Sequence, residues 1–237
     1  MNTSLYSLSA TMINQLNRVD VISNNLANVN TTAFKGDNLT EGSFNNYLQK
    51  AKENRTPTTA MSELVNTIPK IDGSYTNTQM GSFLETNNQL DFALNAKDTF
   101  FKIQDDKGNI LLTRDGAFKN LNGELVTSEG FKVLNGANTP IAVENGFEQE
   151  LSIVKADFKD MKKIGDNNYM HDDLKKAVLV ENTDNQIIQG TIEKSNINAV
   201  STMVALIDAQ RKLEQAQKAI TGLSEMSEKL LTKIDGK

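Results

Sequence analysis

Residues 99–134 read TFFKIQDDKGNILLTRDGAFKNLNGELVTSEGFKVL, and short apolar runs alternate there with turn sequences that contain Asp, Asn and Gly. The pair Asn122-Gly123 separates two of these runs. Asn-Gly favours a tight hairpin because both residues tolerate a positive φ angle. Turns that recur about every eight to twelve residues are typical of small sandwiches and barrels. The stretch therefore predicts a compact all-β domain with a Greek-key-like topology.

The same pattern continues on the C-terminal side of this stretch. The predicted strands are residues 99–104, 110–114, 117–118, 125–127, 131–134, 141–143, 151–154, 177–180 and 186–189. Residues 105–109 (DDKGN) form either a hairpin turn or a calcium loop. They lack the alternating oxygen ligands and the terminal Glu that a calcium loop requires, so the hairpin turn is preferred.

The first 35 residues carry an apolar stripe at helical spacing. Its rows are Leu5, Met12, Val19 and Leu26, and then Leu8, Ile22 and Val29 with Gln15 in the gap. This a/d-like spacing predicts a long helix. Asn and Thr are frequent between residues 24 and 32, and both are poor helix-interior residues, so the helix should end near Val29.

The last segment predicts a second long helix, from about residue 197 to 234. The candidate caps are Ser195, Asn196 and Asn198, whose side chains can accept a bond from a free N–H group. One apolar register contains Ile197, Val200, Val204 and Ile207, and a second contains Leu206, Ala209, Leu213, Ala216, Ile220, Leu223 and Leu230. A helix of this length is typical of coiled-coil pairing, and the small Ala209 and Ala216 would let a partner approach closely.

Proline positions separate these regions. Pro57, Pro69 and Pro140 are the only prolines, so the first 56 residues and the last 97 contain none. The predicted fold class is α+β, with paired N- and C-terminal long helices, coiled-coil-like, around a central all-β domain. The predicted divisions are an N-terminal helix (1–35), an extended connector (36–70), the central β domain (71–190) and a C-terminal helix (191–237).

The apolar stripes also indicate self-assembly. A helix must bury its apolar stripe, and the simplest arrangement pairs the two end helices beside the β domain. The stripes are wider than one partner covers, so further copies of the chain are expected to cover the rest. The predicted self-assembly residues are Leu5, Met12, Val19, Leu26, Leu206, Leu213, Ile220, Leu223 and Leu230. Packing of the helices against the β domain of the same chain is the alternative.

Composition excludes several kinds of site. The absence of Cys excludes disulfides, thiol nucleophiles and thiolate-bound metals. The single His, His171, excludes multi-His metal sites and lies in a polar run that predicts a solvated side chain. A net charge of −5 disfavours nucleic acid and anionic membranes as partners. The longest apolar run, residues 203–207, is too short to span a membrane, and the N-terminus lacks the pattern of a signal peptide. No cofactor or metal is expected.

Four segments resemble a known family. Residues 23–35 read SNNLANVNTTAFK and include Asn24, Asn25, Leu26, Ala27, Asn28 and Phe34. This segment resembles the N-terminal signature of bacterial flagellar axial proteins, the rod, hook and hook-associated components. The family usually has Gly where this chain has Ala33, and that departure predicts a stiffer helix exit.

The other three segments follow in the order of the same family. They are residues 90–94 (LDFAL) with 100–103 (FFKI), residues 113–118 (TRDGAF) with 123–127 and 130–134, and residues 190–200 (GTIEKSNINAV). Residues 113–118 contain Arg114, Asp115 and Gly116. Residues 190–200 contain Ser195 and Asn196 and are followed by Gln210, Arg211 and Glu214. Ile192 and Leu213 depart from the family's usual Leu and aromatic residue.

The resemblance implies a structural subunit of the flagellar basal-body rod and no catalysis. The rod would assemble through the terminal helices into a helical tube that crosses the periplasm and transmits motor torque to the hook. Chain length favours one of the two mid-sized rod proteins. Residues 87–104 and the C-terminal pattern favour the proximal rod member, with the distal rod protein or a hook-type axial protein as the alternative. The implied partners are copies of the chain, neighbouring rod proteins and the flagellar type III export apparatus, which would export the chain without a cleaved signal peptide.

Alternative interpretations exist for three of the motifs. Residues 114–116 could be an active-site triplet, but a turn with Asp as a local acceptor and Gly at positive φ is preferred. The Asn residues at 24, 25 and 28 indicate either an ordinary helix end or a shaped exit that contacts neighbouring subunits. Arg211 and Glu214 could pair on the helix surface or bridge subunits.

The rival hypothesis for the whole chain is an enzyme or ligand-binding module built on the β domain. No Ser/His/Asp arrangement, phosphate-binding Gly loop or metal-ligand spacing supports that hypothesis.

Overall fold

A computed structural model describes residues 2–42, 70–165, 167–171, 178–180 and 186–235. Most of the predicted connector (36–70) lies outside the described residues, as does the side chain of Leu5. The chain forms two compact units. Unit 1 contains Met1–Ala27, Asp37–Thr76 and Asn198–Lys237, and unit 2 contains Asn28–Gly36 and Asn77–Ile197.

The described residues form two long helices and a set of short strands. The helices are α1 (Asn2–Ala27) and α2 (Ala199–Asp235). The strands are β1 (Asp37–Gly42), β2 (Lys70–Thr76), β3 (Phe83–Glu85), β4 (Phe92–Leu94), β5 (Thr99–Gln104), β6 (Ile110–Thr113), β7 (Lys119–Leu121), β8 (Glu124–Val126), β9 (Lys132–Leu134), β10 (Ile153–Lys155), β11 (Met161–Gly165), β12 (Asn168–His171), β13 (Val178–Leu179), β14 (Ile187–Gln189) and β15 (Thr191–Glu193). Two flanking helices around a mainly antiparallel β region confirm the predicted α+β class.

In unit 1, α1 and α2 pack against each other. The α2 side that is least exposed carries the second predicted register. We call it the seam of α2, and it comprises Leu206, Ala209, Leu213, Ala216, Ile220 and Leu223. Ala209 and Ala216 are 2% and 7% exposed, so the small side chains lie where the helices approach most closely. Met12, Val19 and Leu26 of α1 are half-buried, whereas Leu230 near the end of α2 is 45% exposed.

Polar side chains fix the ends of both helices. Asn198 is the N-cap of α2, because its Oδ1 accepts a hydrogen bond from the Ser201 N–H at 3.0 Å. At the C-terminal end of α1, Asn25 is buried in the last turns of the helix and bonds the start of β1 twice. Its Nδ2 donates to the Asp37 carbonyl at 2.7 Å, and its Oδ1 accepts from the Asp37 N–H at 3.0 Å. Asn25 therefore ties the helix to the β1–β2 hairpin.

Unit 2 is built on an antiparallel sheet of nine strands with β5 at its centre. The main path runs β11-β12-β6-β5-β9-β8-β7, and β10 pairs with both β5 and β13. One edge of β5 pairs with β6, and the other edge is shared by β9 and β10. Two further pairs, β3 with β15 and β4 with β14, join the chain before the sheet to the chain after it.

Apolar side chains cover both faces of β5. Phe101 and Ile103 belong to the larger cluster, which also contains Phe92, Leu94, Phe118 and Leu125. Phe100 points to the opposite face and packs with Leu112, Val154 and Tyr169 in the smaller cluster. Strand alternation sends successive side chains to opposite faces, so the unbroken apolar run of β5 reflects burial on both sides. Among the described residues, no helix combines the length and apolar character needed to cross a membrane.

Two predicted strands differ from the structure. Within residues 141–143 only Ala142 makes a bridge, to Glu124 of β8, and the preceding Pro140 makes one to Leu134 of β9. Pro140 has no N–H to donate, so it cannot extend a ladder into this segment. Residues 117–118 contribute one bridge, between Asp91 and Ala117, and the strand begins at Lys119 instead. The hairpin predicted at 105–109 is confirmed, since Asp105 Oδ1 accepts from the N–H groups of Lys107 and Asn109.

The prediction of a solvated His171 is wrong, because the residue is 6% exposed. His171 is the last residue of β12 and stands two residues after the buried Tyr169. Residues two apart in a strand share a face, so His171 follows Tyr169 towards the covered side. The polar run that surrounds His171 in the sequence concealed this alternation.

We expect Ala209→Leu to destabilise the helix pair. The larger side chain has no room in the seam, where Ala209 is 2% exposed, so the free energy of unfolding should fall by about 1–3 kcal/mol. The exposed Ala205 provides the control, and Ala205→Leu should change it by less than about 0.5 kcal/mol. Urea unfolding followed by the helical circular dichroism signal measures both values, and equal stabilities of the two variants would contradict the assignment.

Buried ion cluster of unit 2

Three charged side chains from distant parts of the chain meet inside unit 2. Lys35 lies in the segment after α1, Arg114 follows β6, and Glu193 is the last residue of β15. Their side chains are 0%, 2% and 0% exposed, respectively. We call Lys35, Arg114 and Glu193 the ion cluster. It holds two cations and one anion away from solvent, which is stable only when each charge has close partners.

The Glu193 carboxylate is the centre of the cluster and accepts four hydrogen bonds. One oxygen accepts from Lys35 Nζ at 2.5 Å and from the Gly81 N–H at 2.9 Å. The other accepts from Arg114 Nε at 3.0 Å and Nη2 at 2.8 Å, a side-on pair that fits the planar guanidinium. Both oxygens are thus saturated by groups of the protein itself.

Arg114 directs its remaining donors to the backbone around β4 and β5. Nη1 donates to the carbonyls of Ala96 (3.1 Å) and Thr99 (2.8 Å), and Nη2 donates to the carbonyl of Leu94 (3.2 Å). Together with the two bonds to Glu193, these use the full donor capacity of the guanidinium. A lysine could not replace this geometry, because it lacks the planar fork.

Lys35 is the least compensated member of the cluster. Besides Glu193, its Nζ donates to the Gln79 carbonyl at 2.8 Å. Burial lowers the pKa of Lys35 below its ordinary value of 10.5, and Arg114 lowers it further, while Glu193 opposes both effects. The lysine is therefore held charged chiefly by the one carboxylate that it shares with Arg114.

Two glycines let the backbone close around the cluster. A Cβ on Gly81 would stand 1.8 Å from the Lys194 carbonyl oxygen, and a Cβ on Gly116 would stand 1.8 Å from the Phe92 carbonyl oxygen. The expectation of a positive φ at Gly116 is wrong, since Gly116 is not among the residues with positive φ. Gly is required there because two backbone segments touch, and the residue's conformational freedom is not the reason.

Asp115 lies beside the cluster and fastens the segment after α1. Its Oδ1 accepts from Thr32 Oγ1 at 2.6 Å and from the Ala117 N–H at 3.0 Å, as the predicted local acceptor would. Burial raises the pKa of Asp115, and the neighbouring Asp91 adds to this, while the Thr32 and Ala117 bonds oppose it. The acid is therefore easier to protonate here than in the unfolded chain.

The segment after α1 reaches Glu193 through a residue in the left-handed region. Ala33 has φ +53° and is 1% exposed, and its N–H donates to the Glu193 carbonyl at 2.7 Å. This is the position at which the resembling family usually has Gly. An L-residue in this conformation costs about 1–2 kcal/mol, which the buried methyl group offsets only in part.

Asn196 supplies the last set of bonds around the cluster. Its Oδ1 accepts from the Gly36 N–H at 3.0 Å, and its Nδ2 donates to the carbonyls of Asn77 (2.8 Å) and Gln79 (3.0 Å). Ser195 Oγ accepts from the Ile197 N–H at 3.3 Å, a local turn bond. Phe34 is 4% exposed and lies 4.2 Å from the Lys163 ammonium.

The structure brings only some of the highlighted motif residues together. Those that meet in or beside the cluster are Phe34, Arg114, Asp115, Gly116, Ser195 and Asn196. Asn24, Ala27, Gln210 and Arg211 are exposed, and Asn28 is half-buried. Sequence reasoning missed Lys35 and Glu193 as site residues, because a single charge in a polar segment gives no sign that it is buried. Among the described residues, no group of three or more His, Asp or Glu could hold a metal.

We expect Gly116→Ala to destabilise unit 2 by at least about 2 kcal/mol, because the new methyl group would collide with the Phe92 carbonyl. Gly136→Ala is the matched control: the nearest atom to its Cβ would be 3.9 Å away, so a change below about 1 kcal/mol is expected. Urea unfolding measures both. A Gly116→Ala chain as stable as the control would contradict the close approach.

We expect Asp115→Asn to make the stability of the chain less dependent on pH. Because the folded pKa lies above the ordinary 3.8, the stability that protonation contributes is complete below that value and is lost as the pH rises through the folded pKa. Asn keeps an acceptor for Thr32 without the charge, so its advantage over wild type should grow between about pH 3 and pH 7. Urea unfolding across this pH range measures the stability difference between variant and wild type, and the exposed Asp106→Asn is the control. A stability difference for Asp115→Asn that does not change with pH would contradict the prediction.

The chain matches three protein-family models in sequence order. Residues 5–35 match the model described as "Flagella basal body rod protein", residues 97–156 match "Flagellar hook protein FlgE/F/G D1 domain", and residues 188–233 match "Flagellar basal body rod FlgEFG protein C-terminal". The three matched segments contain Lys35, Arg114 and Glu193, respectively. The ion cluster therefore joins one residue from each of the three matched segments.

Curated relatives cover nearly the whole chain. The flagellar basal-body rod protein FlgF of Rhizobium meliloti is 29% identical over 251 aligned positions, which span 98% of this chain and 96% of the relative. The rod protein FlgG of Agrobacterium fabrum is 29% identical and covers 90% and 92% of the two chains, and FlgF of Caulobacter vibrioides is 27% identical and covers 99% and 98%. These matches and the three models agree with each other, and the chain belongs to the family of flagellar basal-body rod proteins.

Proposed function

We propose that this structural rod subunit self-assembles through an apolar surface on α2. This surface, the α2 stripe, comprises Val200, Met203, Val204 and Ile207, whose side chains are 72%, 50%, 55% and 48% exposed. The spacing of three, four and seven residues places all four side chains on one face of the helix. The exposed stripe is the observation that carries the proposal, because water contact with a contiguous apolar surface is unfavourable.

The stripe is distinct from the seam that packs on α1. Val200 and Ala209 are nine residues apart, or two and a half turns at 3.6 residues per turn, so they lie on opposite sides of α2. The helix pair thus uses one side of α2 within the chain and leaves the other side for neighbouring subunits. Arg211 and Glu214 are exposed and continue the stripe towards the C-terminus, so they are placed to bridge subunits.

Repetition of such a contact builds a tube. When the α2 stripe of one subunit binds a different surface of the next copy, the contact is heterologous. Repetition of this contact adds subunits along a helical path, and successive turns of that path form the wall of a tube. Ile13 and Leu16 of α1, 58% and 40% exposed, supply a further apolar surface for these neighbours. Torque would pass to the hook through many such contacts in parallel, along a rod that crosses the periplasm.

The remaining expectations concern the place of the chain in the flagellum. We propose the proximal rod, because residues 87–104 and the C-terminal pattern favour it. The distal rod or a hook-type position is the alternative, since relatives named FlgF and relatives named FlgG both match. The proposed partners are copies of the chain, adjacent rod proteins and the flagellar type III export apparatus, with export in the absence of a cleaved signal peptide. Coiled-coil geometry of the helix pair, a Greek-key-like centre and the divisions at residues 35, 70 and 190 stay predictions.

We expect Ile207→Asp to prevent assembly without unfolding the subunit. The charge enters the α2 stripe but not the seam, so the monomer should keep its helical signal and lose less than about 0.5 kcal/mol of stability. In a strain that lacks this protein, the variant should fail to restore swimming and should be missing from isolated basal bodies.

Two control variants separate assembly from folding. Ala205→Asp introduces the same charge at an exposed position outside the stripe and should restore swimming. Leu213→Asp introduces it into the seam and should lose both stability and swimming. Normal swimming of the Ile207→Asp strain, with the variant present in basal bodies, would contradict the proposal.

A further inference from the structure

We infer that the two ends of unit 2 dock onto its sheet in a fixed order, the C-terminal arm first and the N-terminal arm second. The N-terminal arm is residues 28–36, and the C-terminal arm is residues 191–197. The ion cluster sets this order, because its three charges do not depend on one another equally. The inference concerns unit 2 alone and holds whether or not the α2 stripe mediates assembly.

Arg114 belongs to the sheet and needs neither arm to be held in place. Three backbone carbonyls, of Leu94, Ala96 and Thr99, accept hydrogen bonds from its guanidinium. Those residues lie in or between β4 and β5. A guanidinium fixed in this way presents Nε and Nη2 in a defined direction before either arm arrives, and it lacks a counter-ion until one does.

The C-terminal arm brings that counter-ion. Glu193 lies on β15, which pairs with β3 through Thr191, Ile192 and Glu193 itself. Its carboxylate then occupies both free donors of Arg114 and accepts the Gly81 N–H. Docking of this arm therefore neutralises a buried cation and needs no contribution from Lys35.

The N-terminal arm depends on the C-terminal arm for the counter-ion of its buried charge. Lys35 Nζ bonds Glu193, the Ala33 N–H donates to the Glu193 carbonyl, and the Gly36 N–H donates to Asn196 Oδ1. Without Glu193, Lys35 would be buried beside Arg114 as a second uncompensated cation. The arm also bonds the rest of unit 2. Thr32 Oγ1 donates to Asp115, and the carbonyls of Thr32, Lys35 and Gly36 accept from Asn167, Lys163 and the Asn77 N–H, respectively. None of these bonds supplies a carboxylate to the Lys35 ammonium.

The order has a consequence for folding of the whole chain. Lys35 and Glu193 are 158 positions apart, and Glu193 is synthesised last of the three. The N-terminal arm consequently stays undocked until the C-terminal arm is available, however early it appears. A chain that stops before residue 193 would keep Lys35 exposed, so a complete unit 2 marks a chain complete to that point.

Hydrogen exchange of the full chain, read by mass spectrometry, tests the order. In Glu193→Gln, amides of both arms should exchange faster, by about a hundredfold, because a buried pair has been broken. In Lys35→Met, only residues 28–36 should exchange faster, because Glu193 keeps its bonds to Arg114. Residues 99–113 should stay protected in both variants. Glu124→Gln, which removes an ion pair whose side chains are 41% and 46% exposed, should change neither arm.

Specific outcomes would overturn the inference. One is equal acceleration of both arms in Lys35→Met, and another is unchanged protection of residues 28–36 in Glu193→Gln. If Glu193→Gln loses protection throughout unit 2, the double variant Lys35→Met/Glu193→Gln is measured as well. The double variant keeps only the Arg114 charge, so the ion cluster has the same net charge as in the native chain. Recovered protection of residues 99–113 in the double variant supports the order, and continued loss refutes it.

Discussion

The shared carboxylate of Glu193 is the interaction on which unit 2 depends. Two cations, Lys35 and Arg114, are buried against this one acid. Burial of either cation without its carboxylate partner would cost several kcal/mol. Backbone packing at Gly81 and Gly116 leaves no room for a Cβ atom beside the cluster. Because the three residues come from the three segments that match family models, the same interaction joins the first and last matched segments to the middle one.

The architecture could be read from the sequence because its signals are local. Heptad spacing predicted both helices to within a few residues, and turn sequences located β5, β6, β8 and β9. The ion cluster could not be predicted from the sequence. The residues near Lys35 and Glu193 do not indicate that either side chain is buried or which distant residue it pairs with. The prediction for His171 failed for a related reason, because burial by other strands is a tertiary effect that overrode the local pattern. The strand predicted at residues 141–143 failed for a local reason, because the neighbouring Pro140 lacks an N–H group.

The two sides of α2 explain the modest apolar content of the chain. The 38% of apolar residues must supply the sheet, the seam and the α2 stripe, yet the stripe is not buried within one chain. Leu206, Leu213 and Ile220 lie in the seam and stabilise the subunit, whereas Val204 and Ile207 are exposed in the single chain. Substitutions on the two sides of one helix should therefore have separable effects on stability and on incorporation.

The position of the ion cluster also determines how unit 2 carries load. The chain leaves unit 2 after Gly36, re-enters it at Asn77 and leaves it again after Ile197, and Asn196 bonds both Gly36 and Asn77. A force that pulls these positions apart acts first on those bonds and on the Lys35–Glu193 pair. The nine-stranded sheet lies outside this path, so such a force does not shear its strands.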